Sequence, residues 1–248
     1  VDYVIHGASN ASPAVYVREP VETILANVSG LDAVLKTAVG SGAKRLLFIS
    51  SSEVYGKKTS AEPYGETDYG YVDILNPRAG YPLSKRTGES LCIAYGQEYG
   101  MGTVIARLGH IYGPTITNTD SRASAEFTRC AAKGEAIVMK SAGAQLRSYC
   151  YCLDCATALL TILLRGENGN AYNVSNPGSI CSIREIAETI AKAGGVPLIF
   201  DMPTEEERRG YNLMDNSSLR SDKLESLGWR ALFPLEEGVK QTMELYQE

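Results

Sequence analysis

The chain is predicted to be an α/β protein, a doubly wound parallel sheet followed by a smaller C-terminal lobe, and three observations carry this. Apolar strand-like runs at Lys44–Ser50 and Thr103–Leu108 alternate with segments of helical period. The first run ends in three serines, Ser50-Ser51-Ser52, at the end of a strand where open parallel sheets present their ligands. A Tyr81-x-x-x-Lys85 pair then opens the next helix, which places both side chains on one face.

Taken in order, Asp2–His6 reads as a short buried strand, and Gly7–Pro13 as a loop of small residues at its C-terminal end. From Pro20 to Val39 apolar residues recur at helical spacing (Val21, Ile24, Leu25, Val28, Leu31, Leu35 among them). Pro20 suits the first turn, and Gly40 and Gly42 end the helix. Strand, helix and strand joined by short loops make a right-handed parallel crossover. The segment Lys57–Pro77, rich in Gly, Tyr and Asp, is expected to be an irregular loop covering the site. A helix is expected over Tyr81–Tyr99, stopped by Gly100 and Gly102, and then the strand Thr103–Leu108.

After Pro114 the texture changes. Helices are expected over Asp120–Lys133 and Asp154–Leu164, short strands over Ala136–Lys140 and Gln145–Cys152, and a strand over Ala171–Val174 that rejoins the main sheet. Ser182-Ile183-Arg184-Glu185 is a capping box opening a helix to Ala193. Leu198–Asp201 reads as a strand, and helices near Ser221–Leu227 and Leu235–Tyr246 close the chain. The expected division is residues 1–114 for the sheet domain and 115–248 for the lobe, with 171–174 returning.

Bulk properties narrow the function. A chain of 248 residues that is 44% hydrophobic can bury a substantial core. A net charge of −5 without a Lys/Arg run argues against nucleic acid, and no apolar run approaches the ~18 residues of a membrane span. Cys150, Cys152 and Cys155 have no fourth ligand nearby, so they read as small buried hydrophobes. The first two are expected on one strand face and the third on the following helix. Unpaired thiols suit a reducing, cytoplasmic setting.

Chemistry concentrates at Tyr81, Lys85 and Ser51. A free tyrosine is a poor base at neutral pH, since its proton leaves near pH ~10. An ammonium beside it and a cationic nicotinamide ring are expected to lower that value. Ser51 would then orient a substrate alcohol while hydride leaves for a cofactor.

Through Phe48–Gly56, Gly80–Arg86 and Arg107–Pro114 together, the chain resembles the extended short-chain dehydrogenase/reductases, the NAD-dependent sugar-nucleotide epimerases, dehydratases and decarboxylases. The resemblance implies a Rossmann-like sheet. No G-x-x-G-x-x-G precedes Ser51, and Val1 opens directly into a strand, so the chain reads as a fragment lacking the glycine-turn part. It also implies that Ala8 and Ser9 lie against NAD, that Asn27 supports the active-site backbone, and that Lys85 holds the ribose and the tyrosine. It implies further that the Tyr81 phenolate takes the proton of the sugar C4 hydroxyl and that Ser51 binds the C4 oxygen.

The fate of the oxidised sugar turns on the neighbours. Where the family's 4,6-dehydratases carry Thr-Asp-Glu, this chain has Ser51-Ser52-Glu53; Ser52, placed among the substrate contacts, is a poor acid. Ser-Glu here, Pro77-Arg78-Ala79-x-Tyr81 and Leu227-Gly228-Trp229 are most similar to the UDP-glucuronate decarboxylase branch, with Glu53 in the catalytic set. Dehydratase and 4-epimerase remain alternatives, and a non-catalytic nucleotide-sugar or scaffold protein is the alternative of another class. The family's diphosphate arginine matches Arg147, with Arg122 and Arg209 as further candidates. An asparagine that meets the diphosphate is replaced by His110. The expected partners are a nucleotide sugar and a second copy of the chain, a homodimer packed through Val21–Val39 and Tyr81–Tyr99.

Overall fold

The computed structural model describes residues 1–9, 12–201 and 214–246. Its main sheet contains β1 (Tyr3–His6), β2 (Arg45–Ser51), β3 (Thr103–Leu108) and β7 (Asn170–Val174) in the order β1-β2-β3-β7, every pair parallel. Successive side chains of a strand point to opposite faces, and the core divides accordingly. Leu46 and Phe48 of β2 and Ile105 of β3 pack under α2 (Pro20–Gly40) and α3 (Gly80–Tyr99), with Leu31, Leu35 and Cys92. Leu47, Val104 and Ala106 face α5 (Cys152–Arg165), with Ala158, Ile162 and Trp229. Gly88 permits the closest approach of α3 to the sheet, since a Cβ there would lie 2.6 Å from the Phe48 ring.

β1 departs from expectation. It is paired on one side only among the described residues, so Tyr3 and Ile5 are 47% and 46% exposed rather than buried. The loop after it leads into an unforeseen helix, α1 (Pro13–Arg18), with proline in its first turn and Ser12 before it.

A second group of strands lies beyond β3. β6 (Leu146–Tyr151) is flanked by β4 (His110–Tyr112) and β10 (Asn216–Ser217), both parallel to it, and by antiparallel β8 (Ile180–Ser182). β5 (Ile137–Met139) pairs with β9 (Leu198–Phe200). Helices α4 (Ala123–Ala132), α6 (Ile183–Gly194) and α8 (Leu235–Leu245) enclose a core containing Phe127, Ile137, Met139, Tyr151, Ile186 and Val239. The capping box is formed, with Ser182 and Glu185 bonding each other's backbone N–H.

Three boundaries differ for physical reasons. α4 begins at Ala123, because Asp120 folds back onto the backbone N–H and guanidinium of Arg122 instead of entering the helix. The strand holding Cys150 stops at Tyr151, so Cys152 opens α5 and does not share the strand face. The helix near Ser221 is a single turn, α7 (Asp222–Glu225). Cys150 and Cys155 are buried, Cys152 is half-buried, and no cluster able to hold a metal occurs among the described residues. No helix there is long and apolar enough to cross a membrane.

The loop Lys57–Pro77 does not cover the site; none of its residues lines the cavity at the strand ends. It packs behind the sheet. Glu66 offers its carbonyl to Arg107 and its carboxylate to the backbone N–H of Asn173, and the Gly70 carbonyl accepts from Arg86. Buried donors at Arg107 and Asn173 need partners there, and the loop supplies them.

Candidate active site

The C-terminal ends of β1, β2 and β3 open into one cavity of about 830 Å³, bounded opposite by α4, β5 and β6. Ser51 ends β2 in extended backbone, and its Oγ accepts the Glu53 N–H at 3.2 Å, which starts the single 3₁₀ turn Ser52–Tyr55. That turn directs Ser52 and Glu53 into the cavity. The first turn of α3 brings Tyr81 beside Ser51, whose hydroxyl acts to lower the phenol.

Lys85 follows one turn on and is buried. Its Nζ donates to the Ile49 carbonyl at 2.8 Å, lies 4.9 Å from the Phe48 ring centre, and is 5.8 Å from that of Tyr81. Burial lowers Lys85 to about 8, opposed by Glu89. Without a nicotinamide ring beside it, Tyr81 is governed by other groups. Burial pushes Tyr81 up to about 12 and the Glu53 carboxylate adds to it, outweighing the hydrogen bonds with Ser51 and Tyr16 and the Arg122 charge. Desolvation of the phenolate dominates, and the Lys85 ammonium is directed at a backbone carbonyl.

Two residues of the site escaped the sequence reading. Tyr16 of α1 stacks on Tyr81 with ring centres 4.2 Å apart and planes 7° apart, and their hydroxyls interact. Its signal was Ser12-Pro13 before a possible helical turn. Arg78 clamps Glu53 with two bonds, Nη1 to Oε2 at 2.8 Å and Nη2 to Oε1 at 2.9 Å, both side chains largely buried. Such a bidentate pair fixes the carboxylate's orientation as well as its charge.

The remaining candidates divide. Ser9 lines the cavity and donates to Asn27 Oδ1 at 2.7 Å, while Asn27 Nδ2 donates to the Thr23 carbonyl. Asn27 therefore holds the Ser9 side chain, where the backbone was the expected target. Ala8 is exposed and does not line the cavity. Arg122 lines it, but its guanidinium already grips Asp120 and donates to the Ile111 carbonyl. Arg147 also lines it; it is only 3% exposed, and its Nη1 donates to the Leu146 carbonyl. Among the described residues no carboxylate pairs with it. His110 sits beside it, its ring 5.7 Å from that of Tyr149. Arg209 lies outside the described residues.

This arrangement can hold a hydroxyl against a buried phenol, with a clamped carboxylate and the Arg147 guanidinium in the same cavity. Comparison with known proteins decides the lineage. The model of the NAD dependent epimerase/dehydratase family matches residues 1–175. The chain belongs to that family. UDP-glucuronic acid decarboxylase 6 of Arabidopsis thaliana is 35% identical over 243 residues, which cover 96% of this chain and 68% of the relative. UDP-glucuronic acid decarboxylase 1 of Xenopus tropicalis is 31% identical over 100% of the chain, which spans 57% of that relative. Among solved structures, UDP-glucose 4-epimerase of Thermotoga maritima, crystallised with UDP-glucose, superposes with a TM-score of 0.86 at 26% identity, covering 98% of this chain and 76% of that one. The Thermus thermophilus UDP-glucose 4-epimerase, in complex with NAD, gives 0.85 at 28% identity, covering 98% and 77%. Family membership and the parallel α/β fold thus agree with the motifs at Ser51, Tyr81 and Lys85.

Proposed function

We propose that this family member oxidises a nucleotide sugar at C4 with NAD and then releases a C5 carboxylate as carbon dioxide, as a UDP-glucuronate decarboxylase does. The observation that carries the reading is the Glu53–Arg78 pair beside Tyr81 and Ser51, in one cavity with Arg147.

The residues fit the nicotinamide–ribose end of NAD. Gly7 leaves its backbone bare beside Ile49, Ser9 is held in place by Asn27, and Lys85 has used one of its three N–H bonds. When bound, NAD supplies the acceptor for the hydride leaving C4. Ser51 orients the C4 hydroxyl and Tyr81 accepts its proton. A positive charge brought close to Tyr81 lowers the phenol from its raised value, so the base is formed only in the loaded site. Lys85 is set to hold ribose hydroxyls. Arg147, with His110, faces the diphosphate, while Arg122 contributes charge and Ser52 a hydroxyl.

With a ketone at C4, the C5 carboxylate is that of a β-keto acid and departs as carbon dioxide. The electron pair of the broken bond stays in an enolate that is protonated at C5. In the second half, C4 takes back the hydride held by the reduced cofactor. Arg78 brings positive charge to the cavity wall where that carboxylate would sit, although both its Nη atoms are bonded to Glu53. Ser52 stands where the family's dehydratases carry an acid, which argues against expulsion of a C6 hydroxyl. The structural likeness to two 4-epimerases favours epimerisation as the second reading. Glu53→Gln is expected to leave C4 oxidation in place and block the second half. Reduced cofactor and a 4-keto sugar then accumulate with UDP-glucuronate, as absorbance and mass spectrometry would show; normal product release would remove Glu53 from the mechanism.

A homodimer through α2 and α3 belongs to the same reading. Val21, Ile24 and Leu25 of α2 face outward with more than a third of their surface exposed, whereas Leu91 and Ile93 of α3 are already partly packed inside. Light scattering is expected to give twice the chain mass, and a monomer would contradict the assignment.

A further inference from the structure

His110 occupies an unusual position. Its Nδ1 is buried without a hydrogen-bond partner, although the residue lines the cavity. The groups that face it are Arg147 and Tyr149 from β6 and Arg122 from the start of α4. Arg122 is neutralised in part by Asp120, but Arg147 is buried beside His110 with no carboxylate of its own among the described residues. A buried, unpaired guanidinium is costly, and an imidazole next to it cannot easily carry a second positive charge. In the free chain, burial and then the two arginines hold His110 down to about 3.

An anion seated on Arg147 reverses this balance. Diphosphate oxygens are acceptors only, so an imidazole that meets them must present an N–H, and the imidazolium presents one at each nitrogen. We infer that His110 and Arg147 form a proton-coupled diphosphate site, in which binding of a nucleoside-diphosphate sugar draws a proton onto His110. The inference rests on the nucleotide-sugar reading above and goes beyond it, because an amide side chain at this position could donate but could not titrate. The linkage has a definite sign. The complex binds the proton and the free chain does not, so affinity rises as pH falls. With the bound imidazole returned to its ordinary value of ~6.5, affinity tightens about fourfold from pH 8 to pH 6, and about 0.8 proton is taken up at pH 6.

Titration calorimetry with UDP-glucose tests this, since its phosphate diesters do not titrate in that range. Measurements at pH 6, 7 and 8, each in two buffers of different ionisation enthalpy, give the proton count directly. The expected result is uptake near 0.8 at pH 6, vanishing by pH 8. His110→Asn is expected to bind with a pH-independent affinity and no uptake; His110→Gln serves as the second variant if the first does not fold. Binding by the unmutated protein without buffer-dependent enthalpy, or uptake that persists in both variants, overturns the role of His110 and leaves the nucleotide-sugar reading standing. Should UDP-glucose not bind, the same titrations are made with UDP-glucuronate, whose carboxylate stays ionised over this range; failure to bind either nucleotide sugar at any pH overturns both.

Discussion

Tyr81→Phe is expected to abolish oxidation at C4 while leaving nucleotide-sugar binding nearly unchanged. The substitution removes the hydroxyl and keeps the ring, so the 4.2 Å stack with Tyr16 survives. Lys85 is unaffected as well, because its bond goes to the Ile49 carbonyl and not to the phenol. Losing a positioned general base costs ~10²–10⁴-fold in rate. Stopped-flow absorbance of reduced cofactor and calorimetry with the nucleotide sugar separate the two effects. A fall in affinity matching the fall in rate would place Tyr81 in binding rather than proton transfer. The raised phenol adds a pH signature. The proton must leave a group held near 12 in the free chain, so the oxidation rate climbs with pH until the loaded site's own, lower value is reached.

The second large effect concerns stability. Arg107 is 3% exposed and pairs with Glu89 through Nε and Nη2 at 2.9 and 2.6 Å, while its Nη1 donates to the Tyr55 hydroxyl and the Glu66 carbonyl. Glu89 also accepts from Ser50, next to Ser51. This buried cluster ties α3, β2, β3 and the 57–77 loop together immediately behind the site. Glu89→Gln preserves the shape but leaves the guanidinium uncompensated, and breaking a buried pair in this way costs about 3–5 kcal/mol. For a chain of this size the thermal midpoint falls on the order of 10 °C. Calorimetric unfolding checks it; a shift under about 1 °C would mean that the Tyr55 and Glu66 oxygens satisfy Arg107 without the carboxylate.

The contrast between these two sites shows what can be read from sequence. Tyr81, Lys85 and Ser51 were legible because their relation is local: one helical turn, and the end of an apolar run. Arg147 carried no such local signal; it was named only because it matches the arginine that the resembling family sets against the diphosphate. Arg78 was in plain view three residues before Tyr81, yet its partner Glu53 is 25 residues away, joined by a loop with no periodicity. No spacing rule reports such a pair. Glu89 did carry a signal, since it continues the Tyr81–Lys85 face by one more turn; its arginine, on β3, did not. The loop 57–77 was misplaced because composition says that a segment is irregular without saying which buried donors it must satisfy. The short strands β4, β8 and β10, of two or three residues each, are too brief for an alternating pattern to register. β1 read as buried because its residues are apolar, and apolarity does not report that among the described residues it pairs on one side only.

The most direct test of the central claim tracks a single carbon. The protein is incubated with NAD and UDP-glucuronate labelled with ¹³C at the carboxyl group, and the gas phase and nucleotide sugars are analysed by mass spectrometry. The account predicts labelled carbon dioxide together with a UDP-pentose that has lost the label, and no product from UDP-glucose under the same conditions. Retention of the label, with a neutral hexose nucleotide converted to its 4-epimer or to its 6-deoxy-4-keto form, would contradict it.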